Sequence, residues 1–267
     1  MELEPILSNI NIYPIKSLDG VCLEKAVISD GGCLLHDREF ALFDEEGNMI
    51  NGKSNPLVHA IRTKFDFKKE TVSFRLKNQT VWNEFHLIIG KLDIENFLTE
   101  YFGIKVKIRQ NKTGRFLDVP DISGVTVLSV ASLETVADWY SIGLDETRKR
   151  FRATLEFKGV PAFWEDKLFS SERKMVKLKI GEITLFGMSP RARCVVPTRD
   201  SETAKVTKAF PKIFSTKRKL SLPQGSKLQD YGHFYHLSVD CLIPESEIGK
   251  TMKVGDKLII IEELDID

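Results

Sequence analysis

Cysteine is scarce in this chain. There are four, Cys22, Cys33, Cys194 and Cys241, and no two stand in a Cys-x-x-Cys pair. That argues against a disulfide framework and a structural zinc site, and makes a reducing compartment the default. Long apolar runs are missing too. No window reaches the roughly 18 apolar residues of a membrane span. The opening MELEPILSNINIYPIKS is acidic and lacks the apolar stretch of a secretory signal. The expectation is therefore a cytoplasmic protein without a membrane partner. Net charge of one sign is absent, since the formal balance is +1. No global field recommends nucleic acid as a partner. Gly-rich phosphate loops of the Walker or dinucleotide kind are absent as well, which disfavours an ordinary nucleotide fold. There is no internal repeat and no low-complexity segment.

What is present is an ordinary globular composition, 42% hydrophobic and 29% charged over 267 residues. One large domain or two small ones would fit. The first hundred residues read mainly as strands: 6–13, 21–28, 39–43, 71–76 and 85–90, with turn signals such as Asp30-Gly31-Gly32 between them. In LDIENFLTEYF, residues Ile94, Phe97, Leu98, Tyr101 and Phe102 make one helical face, and Gly103 is a plausible C-cap. A strand at 104–108 follows. The turn-rich stretch 110–124 is the expected domain boundary, dividing residues 1–110 from 111–267. Next come a strand at 125–130 and a helix in SLETVADWY, with Ser132 as the expected cap. Strands at 153–157, 175–180, 182–186, 236–243 and 257–261 complete the chain. More β than α, in this order, predicts a β-rich α+β fold. The basic stretch from Lys205 to Lys227 shows no clear period and reads as a long surface excursion.

The chemistry concentrates in SPRARCVVPTRD, residues 189–200. Arg191 and Arg193 beside Cys194 favour the thiolate, which serves as a nucleophile or as a ligand for a soft metal. Nucleophile use needs a base, and the five histidines, at 36, 59, 86, 233 and 236, stand in no thiol-hydrolase signature. A zinc site from His233, His236 and Cys241 would need a bend, because strand alternation sends 233 and 236 to opposite faces. Lys16 and Ser17 in PIKS, Arg38 in HDREF, and Arg150, Arg152 and Thr154 in RFRATLEF add scattered basic or hydroxyl groups. Each is compatible with a surface turn, a hairpin pair or a strand edge. Together they point to an anionic ligand.

The order YPIKSLDG, HDREFALFDEEGNMI, LSVASL, RFRATLEFKGVPAFWED, ARCVVPTRDSET and KVGDKL resembles the MOSC family, the molybdenum cofactor sulfurase C-terminal domain. More closely it is similar to the members with an N-terminal MOSC β-barrel domain, such as the amidoxime-reducing components and their bacterial relatives. The resemblance runs from about Ile12 to Ile261. It implies two β-barrel domains and a molybdenum–molybdopterin cofactor, with Cys194 as metal ligand and catalytic centre. It also implies that Lys16, Ser17, Arg38, Asp121, Ser123, Arg152, Thr154 and Arg193 hold the pterin or its phosphate. The implied reaction is reduction of an N-hydroxylated or otherwise N- or S-oxygenated small molecule. Electrons would come from a separate donor protein of haem, flavin or iron–sulfur type. The lysine-rich stretch is one place for such a donor to dock. Asp200 is expected to orient the loop. Some MOSC proteins carry or transfer sulfur, and there Cys194 would hold a persulfide. The chain departs from its closest relatives at Ile122, Thr154, Ala192 and Gly232-His233-Phe234.

Overall fold

A computed structural model describes residues 4–77, 79–119, 121–122, 124–170, 174–222 and 231–266. The first part is a run of short strands: β1 (Ile6–Ile12), β2 (Val21–Leu23), β3 (Lys25–Ser29), β4 (Cys33–Leu34), β5 (Phe40–Phe43), β6 (Met49–Ile50), β7 (Ile61–Asp66), β8 (Thr71–Leu76) and β9 (Asn83–His86). Helix α1 (Lys91–Phe102) and β10 (Lys107–Gln110) follow. Then come β11 (Val125–Ser129), α2 (Val130–Tyr140), α3 (Leu144–Phe151), β12 (Leu155–Lys158), β13 (Lys174–Ile180) and β14 (Ile183–Ala192). The chain ends with α4 (Phe210–Leu220), β15 (His236–Leu242), β16 (Thr251–Lys253) and β17 (Leu258–Asp265). This is the β-rich α+β fold that the pattern predicts.

The largest sheet has the order β17-β13-β14-β15-β11-β12-β1-β2. Its two ends meet. Ile6 bridges Lys257, Leu7 N–H donates to Asp256 O at 2.8 Å, and Gly255 N–H donates to Leu7 O at 2.8 Å. The strands from β17 round to β1 therefore form a ring. Leu7, Val127, Leu155, Leu178, Leu185, Val239 and Leu258 from its seven strands belong to one buried cluster. Closure removes sheet edges that would otherwise be exposed.

Hydrogen bonding crosses the expected boundary near residue 110. Strands β1 and β2 lie in the large sheet, and β3 pairs with β16. No local pattern announces a pairing between residues more than 200 positions apart. Sheets β10-β5-β6 and β7-β8-β9 build a second core with α1, around Ile61, Val72, Phe74, Ile94, Leu98 and Ile108. The helix α1 buries the predicted face, and Gly103 caps it with φ 67°. A third core lies among the other helices, around Leu133, Val136, Phe151, Phe210 and Phe214.

Three local expectations change. The basic stretch is not one long loop: Phe210, Phe214 and Arg218, spaced four apart, form the buried side of α4. An arginine closing a two-phenylalanine stripe hid the period. Lys227 falls outside the described residues. Helix α2 begins at Val130, so Ser132 lies inside it; its hydroxyl donates to Glu165 at 2.9 Å and accepts Phe163 N–H at 2.6 Å. The strand expected over 85–90 ends at His86, whose ring accepts the backbone N–H groups of Ile88 and Ile89. No helix among the described residues is long and apolar enough to cross a membrane.

Candidate functional site

Cys194 lies just past the end of β14. That strand is irregular: its register with β15 shifts between Gly187 and Ser189 and again between Pro190 and Ala192. Bulges of this kind re-aim a strand end. The turn after it is held by Arg193 N–H to Tyr235 O at 2.9 Å, by Tyr235 O–H to Cys194 O at 3.3 Å, and by a 3-10 turn at Val196–Thr198. The Cys194 thiol is half-buried, and Val196 N–H points at its Sγ from 3.5 Å. Asp200 fastens the next turn, accepting from Glu202 N–H, Thr203 N–H and the Thr203 hydroxyl, which is the orienting part expected of it.

The thiol opens on a cleft of about 800 Å³. Lys16, Ser17, Arg38, Arg152 and Arg193 line the same cleft. Four well-separated stretches of sequence are thus brought to one place. Ser17, Arg38 and Arg152 have left-handed backbones, with φ of 74°, 50° and 55°. Such conformations in non-glycine residues cost energy and cluster at functional sites. Arg152 reaches its position as the C-cap of α3, ahead of the strand that follows it.

Not every expected residue arrives. Asp121 is exposed and is not part of the cleft wall, whereas its neighbour Ile122 is. Ser123 falls outside the described residues. Thr154 is buried and borders only a small hollow beside the cleft. Its hydroxyl accepts Thr126 N–H at 2.6 Å and donates to Thr126 O at 3.0 Å, so it serves the contact between β11 and β12. His233 and His236 do stack, with ring centroids 4.0 Å apart. Cys241, however, is sealed in the barrel core, and no three His, Cys, Asp or Glu converge for a metal among the described residues.

The cleft wall also holds Arg191, the other arginine beside Cys194, and four residues that no motif singled out: Lys53, His59, Arg62 and Asp118. In all, ten lysines and arginines line it against three aspartates. The aspartates are committed. Asp118 meets Lys16 at 2.9 Å, Lys53 at 3.3 Å and Arg191 at 3.2 Å. Burial opposes its ionisation, but these cations hold its carboxyl well below the usual range. Asp240 pairs with Arg191 at 2.8 Å and Asp19 with Arg62 at 3.4 Å.

Two of the ten, Arg152 and Arg193, form no carboxylate ion pair among the described residues. Arg152 lies over the Tyr13 ring at 3.9 Å and donates to Leu18 O at 2.7 Å. Arg193 donates to Phe151 O at 2.5 Å, and its Nε has no hydrogen-bond partner among the described residues. Burial pulls both guanidinium pKa values down, reinforced by Arg38 for the first and Arg191 for the second. Burial likewise lowers Lys16. A cleft whose cations are held against their own solvation is prepared for an anion. A thiol beside it adds a soft ligand.

Comparison with curated proteins gives no match. Among solved structures, the YUAD protein from Bacillus subtilis is similar at 10% identity and a TM-score of 0.40, over 97% of this chain and 94% of that one. That likeness is too slight to carry fold or function across. Residues 4–114 match the MOSC N-terminal beta barrel domain, so this part of the chain is similar to that domain.

Proposed function

We propose that the cleft binds a molybdenum–molybdopterin cofactor through Cys194, and that the protein reduces N-hydroxylated or other N- or S-oxygenated small molecules. The observation that carries this reading is the half-buried thiol of Cys194 on a cleft lined by ten lysines and arginines. The residues fit the group. Cys194 would provide one thiolate, leaving the other metal positions to the pterin and to non-protein ligands. Lys16, Ser17, Arg152 and Arg193 would take the phosphate, and the unbonded Nε of Arg193 has a donor to give. Arg38, already bound to Asp37 and packed over Tyr13, would stiffen that wall. When bound, the group supplies two-electron removal of an oxygen atom from the substrate. The protein's part is to exclude water, fix the ligand and manage protons. A separate protein of haem, flavin or iron–sulfur type would return the electrons. The exposed lysines of α4, Lys212, Lys217 and Lys219, offer it an acidic-partner surface.

The test is elemental mass spectrometry on protein made in a host that supplies the cofactor, beside Cys194→Ala. Near-stoichiometric molybdenum in the parent, lost or labilised in the variant, is the expected result. Metal-free parent protein would sink the enzyme reading. Transferable sulfane sulfur on Cys194 would then assign the chain to sulfur carriage for cofactor maturation.

A further inference from the structure

The cleft must handle protons as well as charge, and its wall contains few groups able to do so. Its three aspartates are tied up in the ion pairs given above. Tyr13 is buried, and its hydroxyl is pushed up to about 12. Lys16 is held by Asp118. The arginines keep their protons throughout the working range. Among the described lining residues, His59 is the one whose ordinary value, 6.5, lies near neutrality.

Its placement is specific. His59 sits in a 3-10 turn, Pro56–Ala60, that Asn55 caps and Val58 anchors in the core. The turn belongs to the first half of the chain, but it faces the Cys194 loop. A methyl group placed on Gly52 would lie 3.1 Å from His59 Nε2 and 3.5 Å from the Val196 side chain. The imidazole is thus separated from the loop residue whose N–H points at Cys194 by little more than a glycine. Arg62 ties the two walls together, donating to His59 O at 2.6 Å and to Ser201 O at 3.1 Å. Nε2 lies 3.4 Å from Gly52 O. In the tautomer that donates there, Nδ1 carries the lone pair.

We propose that His59 is a catalytic proton donor of this cleft. It delivers the one proton that lets the hydroxyl oxygen of an N-hydroxylated substrate leave as water and the one that the nitrogen takes up, an inference that rests on the reductase reading. For a hydroxylamine or amidoxime the balance is fixed. The N–O bond breaks, two electrons enter from the redox partner protein and two protons enter from solvent, giving the amine or amidine and one water. His59 passes those protons one at a time and is recharged from solvent, to which it is partly exposed.

Burial lowers the imidazole's pKa, and the three cations that face it, Arg199 beyond the Cys194 loop, Arg152 at the end of α3 and Arg62 on β7, lower it further. The protonated form therefore belongs to the acid side. Turnover falls as pH rises through this pKa. An anion bound among those arginines moves the fall to higher pH.

The test variant is His59→Gln, whose amide can keep the contact with Gly52 O but cannot titrate. With reduced viologen as electron source and a simple aryl amidoxime as substrate, the variant should keep the parent's molybdenum content. Its kcat should fall about a hundredfold, the ordinary worth of a positioned acid, and its pH-dependent limb should vanish. An unchanged kcat and pH profile would overturn the proposal. A second reading needs no metal. In ring-labelled, metal-free full-length protein, nitrogen NMR should show the His59 resonances, found by difference from the variant, titrating on the acid side of the ordinary histidine value. Added aryl amidoxime should shift them. A His59 ring that neither titrates nor responds to the amidoxime would also overturn it. A parent without molybdenum defeats the reductase reading itself; these NMR outcomes still decide whether His59 can receive such a ligand.

Discussion

Arg218 and Arg193 carry the same charge into two regions that treat it in opposite ways. Arg218, on α4, is 2% exposed and bonds both carboxylate oxygens of Asp166, under the ring of Phe163 at 4.2 Å. Tyr231 O–H donates to the same carboxylate at 3.1 Å. Arg193, in the cleft, has a carbonyl and the Phe151 ring at 5.2 Å instead of a carboxylate. Among the described residues each leaves guanidinium nitrogen unbonded, but Arg218 holds its carboxylate in direct hydrogen bonds, whereas Arg193 is favoured by the charges of Cys194 and Asp240 less than burial and Arg191 oppose it. A matched buried charge holds elements together. One left unmatched at a cavity wall is a demand on whatever enters. Arg152 and Arg193 are thus held at the cleft wall at a cost in folding stability that a bound anion offsets.

The sharpest way to break the contrast is to remove each arginine in turn. Arg218→Met strands Asp166 in a buried place, and the loss should be about 3–5 kcal/mol of unfolding free energy. Urea titration reads it directly. A loss under about 1 kcal/mol would mean that the pair holds nothing together.

Arg193→Met should behave differently. It keeps a flexible apolar stem over Phe151 and relieves the repulsion from Arg191, so stability should move by no more than about 1 kcal/mol. Binding of an anionic probe should weaken about tenfold or more, the worth of one charge-assisted hydrogen bond. Calorimetric titration with pyrophosphate measures this. A variant as destabilised as Arg218→Met would erase the distinction between the two regions.

The same distinction explains what the sequence could reveal. The α1 face and its Gly103 cap were legible because they depend on residues within one turn of one another. The residues Lys16, Arg38, Arg152, Arg193 and Cys194 were legible only as a set, through the order of their motifs. Their meeting in one cleft depends on strand pairings hundreds of residues apart. Asp118 was hidden inside a turn-rich stretch that read as a boundary, yet it binds three cleft cations. Thr154 carried the right chemistry, but its neighbour Thr126 consumes it. His59 had no motif at all, since nothing around VHAIR in the sequence says that it faces Val196.

Two buried glutamates extend the comparison to pH. Glu39 is buried, which alone would raise its pKa, but His36, Gln110 and Arg115, at 2.9, 2.5 and 3.0 Å, bring it down to about 2. A depressed carboxyl stabilises the fold above its unfolded value, 4.5, and that contribution is lost as pH falls toward 2. Glu165 has the opposite sign. Burial, with Asp166 beside it, pushes it up to about 8, so the folded protein favours its protonated form. Its contribution is present below 4.5 and is lost as pH rises toward 8. His236, held down to about 4 by burial and then by His233 and Arg218, works against this slope below 6.5. The clean window is therefore 6.5 to 8. There Glu165→Gln should lose less stability per pH unit than the parent, by up to roughly 1 kcal/mol, while Glu39→Gln should leave the slope unchanged. Unfolding free energies by urea titration at pH 6.5 and 8 settle it. Equal slopes in parent and Glu165→Gln would show that Glu165 finds a counter-charge in the fold, and would place its region beside that of Glu39.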